Sequence, residues 1–127
     1  MTKTGIKISN VVIGDAFAVK RPYTTNVTAT LVSKAYLTIK KRAKDPDSAA
    51  LVQKMITTSA SAHGQITDNN PADGGIALTF NFSSPDTINA KPIAYFYDVR
   101  IIMASGDPHT METGTIEFIK GYTAATS

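Results

Sequence analysis

The chain lacks cysteine and tryptophan, and carries only two histidines, His63 and His109, among its 127 residues. Disulfides, thiolate-held zinc and cysteine nucleophiles are thereby excluded, and the redox compartment cannot be read. Long apolar runs are missing too. In MTKTGIKISNVVIGDAF, Lys7, Ser9, Asn10 and Gly14 interrupt what would be the apolar stretch of a leader, and no later run approaches membrane-spanning length. A product made in the cytoplasm with no membrane partner is expected, so the sequons at Asn26-Val27-Thr28 and Asn81-Phe82-Ser83 carry little weight. Neither a phosphate-cradling GxxxxGK[ST] or GxGxxG loop nor a GxSxG nucleophile elbow occurs. Strong charge is absent as well: 13 Lys and Arg against 10 Asp and Glu leave +3, short of the massed basic face that nucleic acid requires.

Proline and glycine, 6 and 8 residues, are scattered rather than gathered into a linker. One domain spanning 1–127 is expected, large enough to bury roughly two-thirds of its unfolded surface. The small polar ends, Met1 to Lys7 and Tyr122 to Ser127, read as flexible segments that order on a partner.

Period-two alternation is what the chain has in abundance, and it is the mark of half-buried strands. In AYFYDVRIIM it puts Tyr95, Tyr97, Val99, Ile101 and Met103 on one face, the expected core face. In GTIEFIKG, Ile116 and Phe118 share a face, and the intervening ASGDPHT reads as the longer loop of a hairpin. IALTFNFSS sets Ile76, Leu78, Phe80 and Phe82 against polar neighbours. KAYLTIK does the same with Ala35, Leu37 and Ile39, while GQITD offers a short strand and the N-terminal IKISNVVIGDAFAVK one or two more. About seven short strands divided by turn signals predict an all-β antiparallel sandwich.

DPDSAALVQKMIT departs from this pattern. Asp45 as N-cap, Pro46 in the first helical position and Asp47 near the positive end of the dipole predict a helical turn near residues 46–51. From Leu51 the alternation resumes, with Leu51, Gln53 and Met55 set against Val52, Lys54 and Ile56, so the turn bridges two strands and is expected to cross between sheets. SSPDT reads as a capped turn.

The ionisable clusters favour plain readings. Lys40, Lys41, Arg42 and Lys44 form a solvated strand end beside Asp45 and Asp47, with no second basic cluster to make a phosphate surface. DNNPADGG, residues 68–75, places Asp68, Asn70 and Asp73 before Gly74, but Ala72 falls on a ligand position and no bidentate Glu follows, so it reads as a polar turn. His63 and His109 lack triad or metal spacing and read as exposed loop residues. Tyr95 and Tyr97 read as structural. No catalytic, metal or cofactor residue is expected.

Taken together, VVIGDAFAVKRPYT, AYLTIKKRAKDPDSAALVQKMIT, GQITD, LTFNFSSPDT and AYFYDVRIIMASGDPHTMETGTIEFIKG resemble the immunoglobulin-like N-terminal domain of the baseplate upper proteins of tailed phages and related stand-alone virion proteins. The matching elements are Gly14-Asp15, Leu37 to Lys40, Asp45 to Lys54, Pro85 to Thr87, Tyr95 to Asp98 and Gly114 to Phe118, in order across residues 10 to 121. The resemblance implies an immunoglobulin-like sandwich and a non-enzymatic role in the virion, at the baseplate or tail, at the collar, or as capsid decoration. A stand-alone form is expected, because YTAATS is not followed by the helical linker of the baseplate upper proteins. Its partners would be other virion proteins or further copies in a symmetric array, met at sheet edges or end loops. A carbohydrate- or host-surface-binding module is the alternative, favoured if Tyr23, Tyr36 and Phe96 share one surface.

Overall fold

Alternation sorts the apolar side chains onto one side of each strand, and two sheets bury those sides against each other. The computed structural model describes residues 2–23, 27–69 and 75–121. Its strands are β1 (Lys3–Val12), β2 (Phe17–Tyr23), β3 (Val32–Lys40), β4 (Val52–Ile56), β5 (Gly64–Asp68), β6 (Ile76–Phe82), β7 (Ala94–Met103) and β8 (Pro108–Ile119). One sheet has the order β1-β8-β7-β3-β4 and the other β2-β6-β5. β1 runs parallel to β8, while the other pairings between these strands are antiparallel.

Reading β2 to β8 in chain order as strands B, C, C′, D, E, F and G gives the sheets G-F-C-C′ and B-E-D, the strand arrangement of an immunoglobulin-like sandwich. The first strand lies against G rather than against B. At the corner before β7, the Tyr95 hydroxyl accepts the Lys91 N–H at 2.9 Å, the tyrosine-corner contact of such sandwiches.

The core follows the alternation. Ile76, Leu78, Phe80 and Phe82 from one sheet meet Leu37, Ile39, Val99 and Phe118 from the other, all buried. Tyr95, Tyr97 and Ile101 are also buried, whereas Met103 is only partly so. A short helix, α1 (Ser84–Thr87), closes β6 as SSPDT predicts, with the Ser83 amide donating to the Asp86 carboxylate at 2.7 Å.

Four local expectations need correction. Lys3 to Lys7, expected as part of a flexible end, lie in β1 and pair with β8, and the other expected flexible end, Tyr122 to Ser127, lies outside the described residues. Near residues 46–51 the helical turn is a single 3-10 turn, Asp47–Ala49, with Pro46 rather than Asp45 in the N-cap position. Asp45 folds back to accept the Arg42 N–H at 3.2 Å, so it does not cap that turn. The excursion also stays within one sheet, because the Leu51 N–H bonds the Ile39 carbonyl at 2.8 Å and fastens the returning chain to the strand it has just left. The crossing comes one connection later, between β4 and β5. Finally, the β7–β8 turn is shorter than ASGDPHT: Pro108 to Thr110 belong to β8, and His109 pairs with Ile101.

Asp45→Ala is therefore expected to change stability by less than about 0.5 kcal/mol. Asp86→Asn, which weakens a working helix cap and an ion pair, is expected to cost about 1–2 kcal/mol. Urea melts of the two variants check the contrast. Equal losses would return Asp45 to a capping role.

Candidate functional site

Three kinds of place hold chemistry: the polar groups between the sheets, the sheet edges, and the outer face of the larger sheet. Between the sheets, Glu112 is fully buried. Arg21 Nε donates to its two oxygens at 3.1 and 3.2 Å, the Tyr23 hydroxyl donates at 3.0 Å, and the Tyr97 hydroxyl donates to Oε2. Burial, reinforced by the Glu112 charge, pushes both tyrosine hydroxyls well above their ordinary range, so they stay neutral donors. Arg21 and Tyr23 come from β2, Glu112 and Tyr97 from the opposite sheet, so the cluster ties the sheets together. Tyr97 lies two residues after the corner tyrosine, where antibody domains carry the second cysteine of their inter-sheet disulfide. A carboxylate-centred link thus serves a chain that has no cysteine.

Sequence reasoning missed this carboxylate because a register shift between Val99 and Arg100 lets Met111 and Glu112 both turn inward. The signal was present: counting back by twos from Phe118 and Ile116 reaches Gly114 and then Glu112.

A second internal charge is Lys54 on β4. Its ammonium meets Asp86 at 2.8 Å and the His63 Nδ1 at 3.2 Å, and lies 5.7 Å from the centre of the Phe82 ring. Burial pushes the Asp86 carboxyl up, but the bonds from Lys54 and Ser83 outweigh it and hold the group below its ordinary value. Nucleophile, base and orienter do not converge in either cluster.

The edges are blunted. β1 is broken by two register shifts, and β4 points Lys54 inward. Pro22 has no N–H to offer, its carbonyl accepts from Lys3 Nζ at 3.3 Å, and the Lys20 carbonyl accepts from Arg21 at 3.2 Å. On β5 the Ile66 N–H is taken by the Thr57 carbonyl at 2.8 Å. Bulges, an edge proline and inward charge are the devices by which sheets resist extension, so the expectation that an edge extends a partner's sheet finds little support here.

The outer face of the larger sheet is different. Its side chains lie in rows across the strands. Met55, Tyr36 and Arg100 form one row; Gln53, Thr38, Asp98 and Thr113 the next; Lys40, Phe96 and Thr115 the third. The middle row is short, and Thr38 is only 5% exposed although it faces outward. A trough results, with Tyr36 and Arg100 on one wall and Phe96 and Lys40 on the other. Two depressions, of about 370 and 290 Å³, open along it and share Thr38, Lys40 and Asp98. With strands ~4.8 Å apart, the trough is roughly 14 Å long.

Within the trough, Lys40 Nζ pairs with Asp47 at 2.8 Å, and Gln53 Nε2 donates to Thr38 at 2.9 Å. Asp98 is half-buried, and no described donor hydrogen-bonds its carboxylate. Burial raises its pKa, against the pull of Arg100 and Lys40. A carboxylate whose pKa is higher folded than unfolded binds its proton better when folded, so its contribution to stability is lost as pH rises through that folded pKa. Asp98→Asn is accordingly expected to raise the melting temperature at pH 7 by a few degrees, a gain that vanishes once the pH falls below the carboxylate range. Melts at pH 3 and pH 7 decide it, and a gain independent of pH would break the link to titration.

The other sequence candidates sort cleanly. Lys41, Arg42 and Lys44 are exposed, as a solvated strand end requires, and His63 and His109 are exposed too. Tyr95 and Tyr97 are buried in the core. Tyr36 and Phe96 share the outer face, whereas Tyr23 is buried beside Glu112. Asn81 is exposed, whereas Asn26, Asn70, Asp73 and Gly74 lie outside the described residues. Among the described residues, no group of His, Asp and Glu has the geometry to hold a metal ion, and no helix is long and apolar enough to cross a membrane.

No protein-family model and no curated protein matches the chain. Among solved structures it is similar to the NK cell receptor Nkp44, a triggering partner in natural cytotoxicity, at 16% identity over 95% of this chain and 99% of that one, with a TM-score of 0.45. It is also similar to CopC from Methylosinus trichosporium OB3b, at 11% identity over 91% of this chain and 89% of that one, with a TM-score of 0.43. The immunoglobulin-like fold is read from the strand order of the chain itself.

Proposed function

We propose that the chain is a non-enzymatic structural protein of a phage virion, at the baseplate or tail, at the collar or as capsid decoration, binding neighbouring virion proteins in a symmetric array. The observation that carries this reading is the ordered set of phrases across residues 10 to 121. Two structural features agree with a binding role. The described buried charges, Glu112 and Lys54, are engaged in internal pairs, and the blunted edges leave faces and end loops as contact surfaces. Repetition on a symmetric particle multiplies weak face contacts into stable attachment.

Mass spectrometry of purified particles of the encoding phage, quantified against the major capsid protein, tests the proposal. Reproducible copy numbers in multiples of three, five, six or twelve are expected. Clean absence from particles would end the virion reading.

A second reading, a carbohydrate- or host-surface-binding module, is favoured by one observation: Tyr36 and Phe96 stand on opposite walls of one polar trough.

A further inference from the structure

We infer that the trough across the outer face of the larger sheet is a binding site for a short neutral oligosaccharide. The inference rests on the carbohydrate-binding reading and gives it a location.

The floor comes first. Gln53, Thr38, Asp98 and Thr113 present an amide, two hydroxyls and a carboxylate in one row. A protein partner pressing an apolar ridge into that row would strip water from the Asp98 carboxylate without replacing its hydrogen bonds, at a cost of about 1–3 kcal/mol or more for a charged group. A sugar hydroxyl both donates and accepts, so it can replace that water. Asp98 is the group with the most to gain, because it is half-buried and no described donor reaches it.

The charge is balanced. Lys40 is spent on Asp47, and Arg100 lies within electrostatic reach of Asp98. With two cations and two anions on or beside the floor, the trough favours neither an anionic nor a cationic ligand, which points away from phosphate, sialic acid or a basic peptide. The walls supply the apolar part of the recognition: Phe96 is 46% exposed, and Tyr36 stands opposite. The exposed Phe96 ring is suited to the C–H face of a sugar, whereas the Tyr36 ring already carries the Lys34 ammonium 5.6 Å from its centre and contributes its edge to the wall. The size agrees, since the two depressions together fall within the roughly 300–1,000 Å³ of small-molecule sites.

The test is a titration of the isotopically labelled full chain followed by amide NMR, with maltotriose, cellotriose and triacetylchitotriose as probes and sialyllactose run in parallel. At least one neutral trisaccharide is expected to shift the amides around Thr38, Phe96, Asp98 and Thr113. Asp98→Asn and Phe96→Ala, both altering side chains on the outer face, are each expected to weaken that binding about tenfold, equivalent to ~1.4 kcal/mol. Shifts that map elsewhere on the protein, binding undiminished in both variants, or binding of sialyllactose alone would overturn the site. Silence with every probe would overturn the site and the carbohydrate reading together, leaving the particle composition to judge the virion role.

Discussion

Glu112→Ala is expected to destabilise the protein by about 3–5 kcal/mol, the cost of breaking a buried ion pair by removing one partner. A domain of this size is stable by only about 5–15 kcal/mol, so the variant should melt on the order of 10–20 °C lower or fail to accumulate. The loss comes from what is left behind. Arg21 keeps its charge with its carboxylate gone, and the Tyr23 and Tyr97 hydroxyls lose a common acceptor between the sheets. Removing the charge from both sides should behave differently. Arg21→Met combined with Glu112→Met is expected to recover the part of the loss that comes from the orphaned charge, while the Tyr23 and Tyr97 hydroxyls still lack their acceptor. Calorimetric melts of the single and double variants separate the two cases. If the double variant is as unstable as Glu112→Ala, the cluster contributes net attraction rather than mutual neutralisation.

Gly64→Ala is expected to cost a comparable 3–5 kcal/mol, for two additive reasons. The residue has φ +129, a conformation that costs a side-chain-bearing residue about 1–3 kcal/mol. A Cβ built there would also lie 1.8 Å from the Thr79 carbonyl oxygen, which is backbone and cannot swing aside, so overpacking adds about 1–3 kcal/mol. Gly64 opens β5 opposite Phe80, so the damage should appear as faster amide exchange along β5 while β7 and β8 remain protected. Uniform loss of protection across both sheets would mean that the turn before β5 is required for the whole fold.

Architecture was more legible in the sequence than chemistry, and the reason lies in periodicity. β6 and β7 alternate without interruption, so Phe80, Val99 and their neighbours declared their burial. β4 alternates too, but its inward face carries Lys54, and a pattern read by hydrophobicity alone assigns no face to a buried ammonium. That position is intelligible only through Asp86, some thirty residues away in a different connection. Glu112 was hidden by a bulge. The trough was hidden for another reason: Gln53, Thr38, Asp98 and Thr113 come from four strands, and pairing register, which no single segment encodes, brings them into line.

The parallel pairing of β1 with β8 constrains how the chain acquires its shape. Lys3 lies opposite Glu112 and Val12 opposite Ile119, so β1, the first of these strands to be made, must wait for β8, the last of them, before its ladder can close. Contacts so distant along the chain slow folding, because the closure entropy must be met before the pairing returns any free energy. During that interval β8 presents an open flank, since β1 is its only neighbour on that side. Among many identical nascent chains, that interval is when one copy's first strand could close against another copy's last, exchanging strands between molecules before either is complete.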